Sequence, residues 1–267
     1  GKVGAHPTWG PAFTFTGTQI TWMLIGYGFV AAVLPVWLVL APRDYLSTFL
    51  KIGTIVGLAI GIFIVMPDLR MPALTQFTDG TGPVWKGGLF PFLFITIACG
   101  AVSGFHALIS SGTTPKLLDN ETNARYIGYG GMLMESFVAI MAMVAASVIE
   151  PGVYFAMNSP PAAVSSWGFA ITPDALEAVA RDIGESSILN RAGGAPTLAV
   201  GIAQILHQVL PGENTMAFWY HFAILFEALF ILTAVDAGTR AGRFMLQDLL
   251  GSFVPALKRT ESWGANL

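Results

Sequence analysis

Three carboxylates sit inside apolar runs of the chain: Glu135 in MLMES, Glu227 in LFEALF and Asp236 in TAVDAGTR. An ionised carboxylate in a low-dielectric surrounding is costly unless a proton, a cation or several donors hold it, so each is a candidate for ion coupling. A second set lies in residues 89–116, LFPFLFITIACGAVSGFHALISSGTTPK, where an apolar run of membrane-spanning length is broken by Gly100, Ser103 and Gly104, with His106 just beyond. Small residues expose peptide groups, and bare backbone at membrane depth is stable only when buried in protein or lining a polar cavity. The segment is expected to be a discontinuous helix. Its free N–H groups and positive dipole end suit a substrate carboxylate, and its exposed carbonyls suit a cation. Ser110, Ser111, Thr113, Thr114 and Lys116 follow directly, adding hydroxyl donors and a positive charge to the substrate-binding set.

Other chemistries are poorly represented. No Gly-rich phosphate loop ends in Lys-Ser/Thr, and neither HExxH nor a Ser-centred nucleophile elbow occurs. In Gly112-Thr113-Thr114-Pro115-Lys116 a proline precedes the lysine and interrupts the helix that a phosphate loop must start. His106, His207 and His221 share no i, i+4 spacing and Cys99 stands alone, so no metal site, disulfide or cofactor is expected. The acids and histidines are scattered in depth rather than paired, which argues against an enzyme. No nucleic-acid partner is expected either.

The elements that position these residues follow from composition. With 54% hydrophobic and 11% charged residues and a mean hydropathy of +0.65, the chain carries several apolar runs about as long as a bilayer is thick. The expected architecture is an all-α polytopic membrane protein with about five transmembrane helices and a short re-entrant helix. Residues 1–19 form an outer-face loop with Trp9 and Trp22 as interface anchors. The chain opens on Gly1 with no secretory signal, so its true N-terminus is expected to be missing. Residues 20–149 form a four-span bundle. Its first span, 20–40, is kinked at Pro35; a turn at 41–47, APRDYLS, leads to the second span, 48–66. There Gly53, Gly57 and Gly61 make a stripe for close helix packing.

The interrupted helix is 89–109, and the fourth span is 126–149. Glu135 lies roughly 14 Å into that span at about 1.5 Å per residue, close to the middle of a hydrocarbon core about 30 Å thick. Residues 150–196 form a periplasmic loop. Within it Thr172-Pro173-Asp174 opens an amphipathic helix that continues through ALEAVARDIGESSIL. Residues 197–238 hold a re-entrant segment, 197–210, too short to cross, and the fifth span, 217–237. Residues 239–267 are expected to lie on the cytoplasmic surface as a basic amphipathic tail, with Asp236 paired to Arg240 one turn on. If the first span enters from outside, the inner segments, with Arg43, Lys51, Arg125, Arg240 and Arg243, carry a positive balance and the outer ones a negative balance, as the positive-inside rule requires.

The strings SGFHALISSGTTPK, NETNARYIGYGGMLMES and AGGAPTLAVGIAQILHQVLPGENTMAFWYHF resemble the carbon starvation protein A (CstA) family, and the likeness runs over nearly the whole chain. Members of that family are much longer, so the chain is expected to be an internal fragment whose remaining spans lie elsewhere in the protein. Its loop at 158–166, NSPPAAVSS, is shorter than the family's. The resemblance implies a secondary transporter of the bacterial inner membrane, akin to the amino acid, polyamine and cation superfamily with its discontinuous helices around a midplane site. It implies import of peptides or pyruvate during carbon starvation; a coupling proton or Na+ is expected, and no cofactor. A channel, or a structural or sensory membrane subunit, is the alternative.

Overall fold

The computed structural model describes residues 6–35, 37–38, 40–82, 86–91, 94, 107, 109, 114–160, 173–191 and 193–258, and every regular element among them is helical. In chain order these are α1 (Trp9–Ala12), α2 (Gly17–Val33), α3 (Leu40–Val65), α4 (Asn123–Val148), α5 (Pro151–Asn158), α6 (Pro173–Asp182), α7 (Ala195–Val209) and α8 (Thr215–Gly251), with short 3-10 turns between. Segments of α3 (Ala41–Val65), α4 and α8 are long and apolar enough to cross a membrane, and α2 is a shorter apolar helix. The chain is an all-α polytopic membrane protein.

The end of the 20–40 span and the start of the next differ from expectation for reasons that lie in proline chemistry. Pro35 does not kink a continuing helix. α2 stops at Val33, and Leu34, whose ψ of 153° is extended, takes the backbone region that a following proline enforces. Conversely, the expected turn at 41–47 is helical, because α3 starts at Leu40 and places Pro42 in its first turn, where no intrahelical N–H is required. The fourth span is met closely by α4. The amphipathic helix of the loop is α6, but it ends at Asp182 instead of running through to Leu189. Gly184 adopts φ +76°, and the Glu185 N–H turns back to the Ala180 carbonyl at 2.8 Å; glycine tolerates this left-handed closure at no steric penalty.

Leu46–Gly104 and Leu118–Ile231 form one compact unit, with α7 at its centre. α7 has 15 residues, about 22 Å at 1.5 Å per residue, so it falls short of a bilayer core. Its residues Ala199, Val200, Ile202, Ala203 and Ile205 are wholly enclosed. Gly201 lies against the backbone of Ala145 on α4, so closely that a Cβ would overlap the Ala145 carbonyl. Gly61 of α3 gives α7 similar room, since a Cβ there would meet Leu206 at 3.3 Å. Gly53 and Gly57 have nothing near them among the described residues, so only Gly61 of the stripe is a packing site there. α5 is tied to α7 by Asn158, whose amide donates to the Thr197 hydroxyl and the Tyr154 carbonyl, both at 2.8 Å. The loop after α6 is held by the Arg191–Glu185 ion pair at 2.8 Å. Burial works against the Arg191 charge, but the Glu185 carboxylate outweighs it and raises the arginine's pKa.

Gly1–Tyr45, Phe105–Leu117 and Leu232–Leu267 form the second unit. Residues 239–251, expected to begin a separate surface tail, instead continue the helix that precedes them. α8 runs 37 residues without a break at 238, about 55 Å at 1.5 Å per residue, well beyond a bilayer core.

Candidate functional site

The second unit is organised around Asp236. α2 begins with a capping box in which the Thr16 hydroxyl accepts from the Gln19 N–H at 3.4 Å and the Gln19 side chain accepts from the Thr16 N–H at 2.8 Å. Such reciprocal capping satisfies two of the N–H groups a helix start leaves open. Twelve residues on, Gly28 lets the last part of α8 approach, since a Cβ there would meet Thr239 at 3.2 Å and Val235 at 3.5 Å. That close approach brings Tyr27 to Asp236 and brings the end of α2 to Arg240.

A helix leaves its last carbonyls without intrahelical donors and with a partial negative charge. Arg240 answers this. Its guanidinium is buried, donates to the Ala31 carbonyl and to the Leu34 carbonyl, the latter at 2.9 Å, and so caps α2. Arg243 approaches the Val33 carbonyl at 3.5 Å. These two arginines are therefore engaged within the unit, and the expected Asp236–Arg240 pair gives way to a different one.

Asp236 is 0% exposed and takes Arg43, from the first turn of α3, at 2.8 Å on Oδ2. The Tyr27 hydroxyl donates to the same oxygen at 2.9 Å while accepting from Arg43 at 2.6 Å. Arg43 also binds Asp44 at 2.9 Å and the Thr233 hydroxyl at 3.2 Å, and Thr233 donates to Asp44 at 3.1 Å. One guanidinium is thus shared by two carboxylates, one enclosed and one partly exposed at 28%. Asp236 Oδ1 is buried with no hydrogen-bond partner among the described residues. A buried oxygen without a donor is costly, so this atom is the unsatisfied group of the cluster. When Asp236 is neutral, Arg43 keeps Asp44 as its counter-ion.

Of the residues singled out in the sequence, Gly100, Ser103, Gly104, His106, Ser110, Ser111 and Thr113 lie outside the described residues, as does the interrupted backbone they belong to. Thr114 and Lys116 lie in the 3-10 turn Thr114–Leu117, and the Thr114 hydroxyl donates to the Ile109 carbonyl at 3.3 Å. Glu135 is midway along α4 on an exposed face, and Glu227 is partly buried in α8. Among the described residues no group of three or more histidines, cysteines and acids is placed to hold a metal. Sequence reasoning named Asp236 but missed Tyr27, Arg43, Asp44 and Thr233. The available signals were a tyrosine between two glycines inside an apolar run and an Arg-Asp pair opening a span.

The family model described as carbon starvation protein CstA matches residues 1–267. The peptide transporter CstA of Escherichia coli strain K12 is 72% identical over 283 residues, covering 100% of this chain and 40% of the relative. The pyruvate/proton symporter BtsT of the same strain is 66% identical over 301 residues, again 100% of this chain and 42% of the relative. The peptide transporter CstA of Campylobacter jejuni is 58% identical, with 99% and 39% covered. The chain spans about two fifths of the length of these curated relatives. No solved structure matches it. With a family model covering every residue and relatives this similar, the chain belongs to the carbon starvation protein CstA family.

Proposed function

We propose that this chain forms part of a secondary carrier that moves peptides or pyruvate across the bacterial inner membrane together with a proton, and that Asp236 is the group that takes up and releases that proton. The observation that carries the reading is the enclosed Asp236 carboxylate, held on one oxygen by Arg43 and Tyr27 and bare on the other among the described residues. Intramembrane acids in such settings mark ion pathways, because their charge is costly enough for protonation to bias a conformational equilibrium. A relative named as a pyruvate/proton symporter supports the proton over Na+ as the coupling ion. Glu135 and Glu227 are secondary candidates for the same role, and the 100–116 segment supplies the substrate contacts.

Counterflow tests the carrier reading. Proteoliposomes holding the full-length protein are loaded with unlabelled dialanine or pyruvate and diluted into a trace of the labelled compound. A carrier draws label inward above equilibrium, because each binding cycle exchanges one molecule for another. Label that equilibrates without overshoot for both compounds, while passing freely, would identify a channel.

A further inference from the structure

The first unit contains an open cavity of about 640 Å³ lined by Arg70, Arg181, Asp182, Gln204, His207 and Asn214. Four chain segments converge on it. Arg70 follows α3, and its backbone N–H is pinned to the Ser147 carbonyl at the end of α4 at 2.8 Å. Arg181 and Asp182 close α6. His207 is in the last turn of α7, next to Thr215 at the start of α8. The Thr215 hydroxyl gives its only proton to the Gly212 carbonyl at 2.9 Å, so the 2.6 Å contact with His207 is an Nδ1–H donated to that hydroxyl. Its Nε2 has no hydrogen-bond partner among the described residues and stays available to a ligand.

The charges of this cavity are unspent. Neither Arg70, Arg181 nor Asp182 has a side-chain ion pair among the described residues, whose pairs involve Arg43, Asp44, Asp236, Glu185, Arg191 and His221. Two guanidinium groups and one carboxylate, with amides from Gln204 and Asn214, therefore face a space of the size that takes small organic ligands, roughly 300–1,000 Å³. A lone anion would use the arginines and leave Asp182 facing it unfavourably. A molecule with a carboxylate at one end and an ammonium at the other satisfies all three.

We propose that this cavity is a binding site for a short zwitterionic peptide, with Arg70 and Arg181 on its carboxylate and Asp182 on its ammonium. The site shares no residue with the Asp236 cluster and rests on the carrier reading only in taking the ligand to be a transported nutrient. Binding is measured by titration calorimetry on the purified full-length protein in detergent, where no flux is required. Dialanine is expected to bind, and its C-terminal amide, its N-acetyl form and pyruvate to bind at least about tenfold more weakly, as loss of a charge-assisted pair dictates. Arg70→Gln with Arg181→Gln is expected to weaken dialanine by about tenfold or more. Asp182→Asn is expected to weaken dialanine while leaving N-acetyl-dialanine unchanged, a selectivity that a merely structural aspartate would not show. These are exposed side chains, so the variants are expected to fold, and monodisperse elution confirms it. Equal affinity for dialanine and its amide, or dialanine affinity unchanged in the folded double-arginine variant, would overturn the site. Retained, Arg-dependent dialanine binding in a protein without counterflow would support the site and count against the carrier reading alone.

Discussion

Replacing Asp236 by asparagine is expected to abolish uphill accumulation of substrate while leaving exchange of internal for external substrate in place. The amide keeps the size of the side chain and an oxygen that accepts from Tyr27 and Arg43, which in the parent lie 2.9 and 2.8 Å from Oδ2. It removes the charge. With no anion at 236, Arg43 retains Asp44, 2.9 Å away, so the variant resembles the protonated carrier permanently. Removing one partner of a buried ion pair usually destabilises by about 3–5 kcal/mol, because it strands the other charge. Here Arg43 is not stranded, so the folded protein is expected to survive. Coupling free energies of about 1–3 kcal/mol correspond to roughly 5- to 150-fold effects on a linked ligand's affinity, and with that linkage removed the accumulation ratio is expected to fall to its equilibrium value. Concentrative uptake and counterflow, measured on the same proteoliposomes, separate the two activities. Loss of both together, with intact protein, would assign Asp236 a purely structural role.

The second large effect is expected at Gly201. Substituting leucine there places a side chain where the α4 backbone at Ala145 already sits. Backbone cannot step aside as a flexible side chain can, so α4 and α7 must separate. Residues that α7 encloses, among them Val200 and Ile205 at 0% exposure, would then lose their partners. Overpacking of this kind typically destabilises by about 1–3 kcal/mol, and a direct clash with backbone belongs at or beyond the upper end. The measurable outcome is loss of the monodisperse peak in size-exclusion chromatography, or a melting temperature lowered by several degrees. A Gly201→Leu protein that melts with the parent would show that α4 and α7 do not pack as described.

How far these features could be read from the chain depended on the range of the interaction. The apolar run around Met141 set α4 to within a few residues, and Pro173 with Asp174 marked the start of α6, because hydrophobic length and first-turn chemistry are local properties. The two prolines of 34–47 were harder. Pro35 ends a helix and Pro42 begins one, and the same residue type carries opposite meanings depending on which carbonyls need donors. The basic residues after Asp236 looked like a surface face, yet Arg240 is buried because the end of α2, 209 positions away in sequence, offers it carbonyls. No periodicity reveals such a partner. The i, i+4 rule pointed from Asp236 to Arg240, while the actual partners, Tyr27 and Arg43, belong to other helices. Asp236 itself was legible because a carboxylate in an apolar run requires an explanation wherever it falls.

The central claim is that substrate movement carries a proton through Asp236, and proton entry itself tests it most directly. Proteoliposomes containing a trapped pH-sensitive dye are given an inward gradient of dialanine or pyruvate, whichever shows counterflow, with no imposed pH difference. The expected result is internal acidification in step with substrate entry for the parent protein and none for Asp236→Asn. Substrate entry without acidification in the parent, or acidification undiminished in Asp236→Asn, would contradict the account.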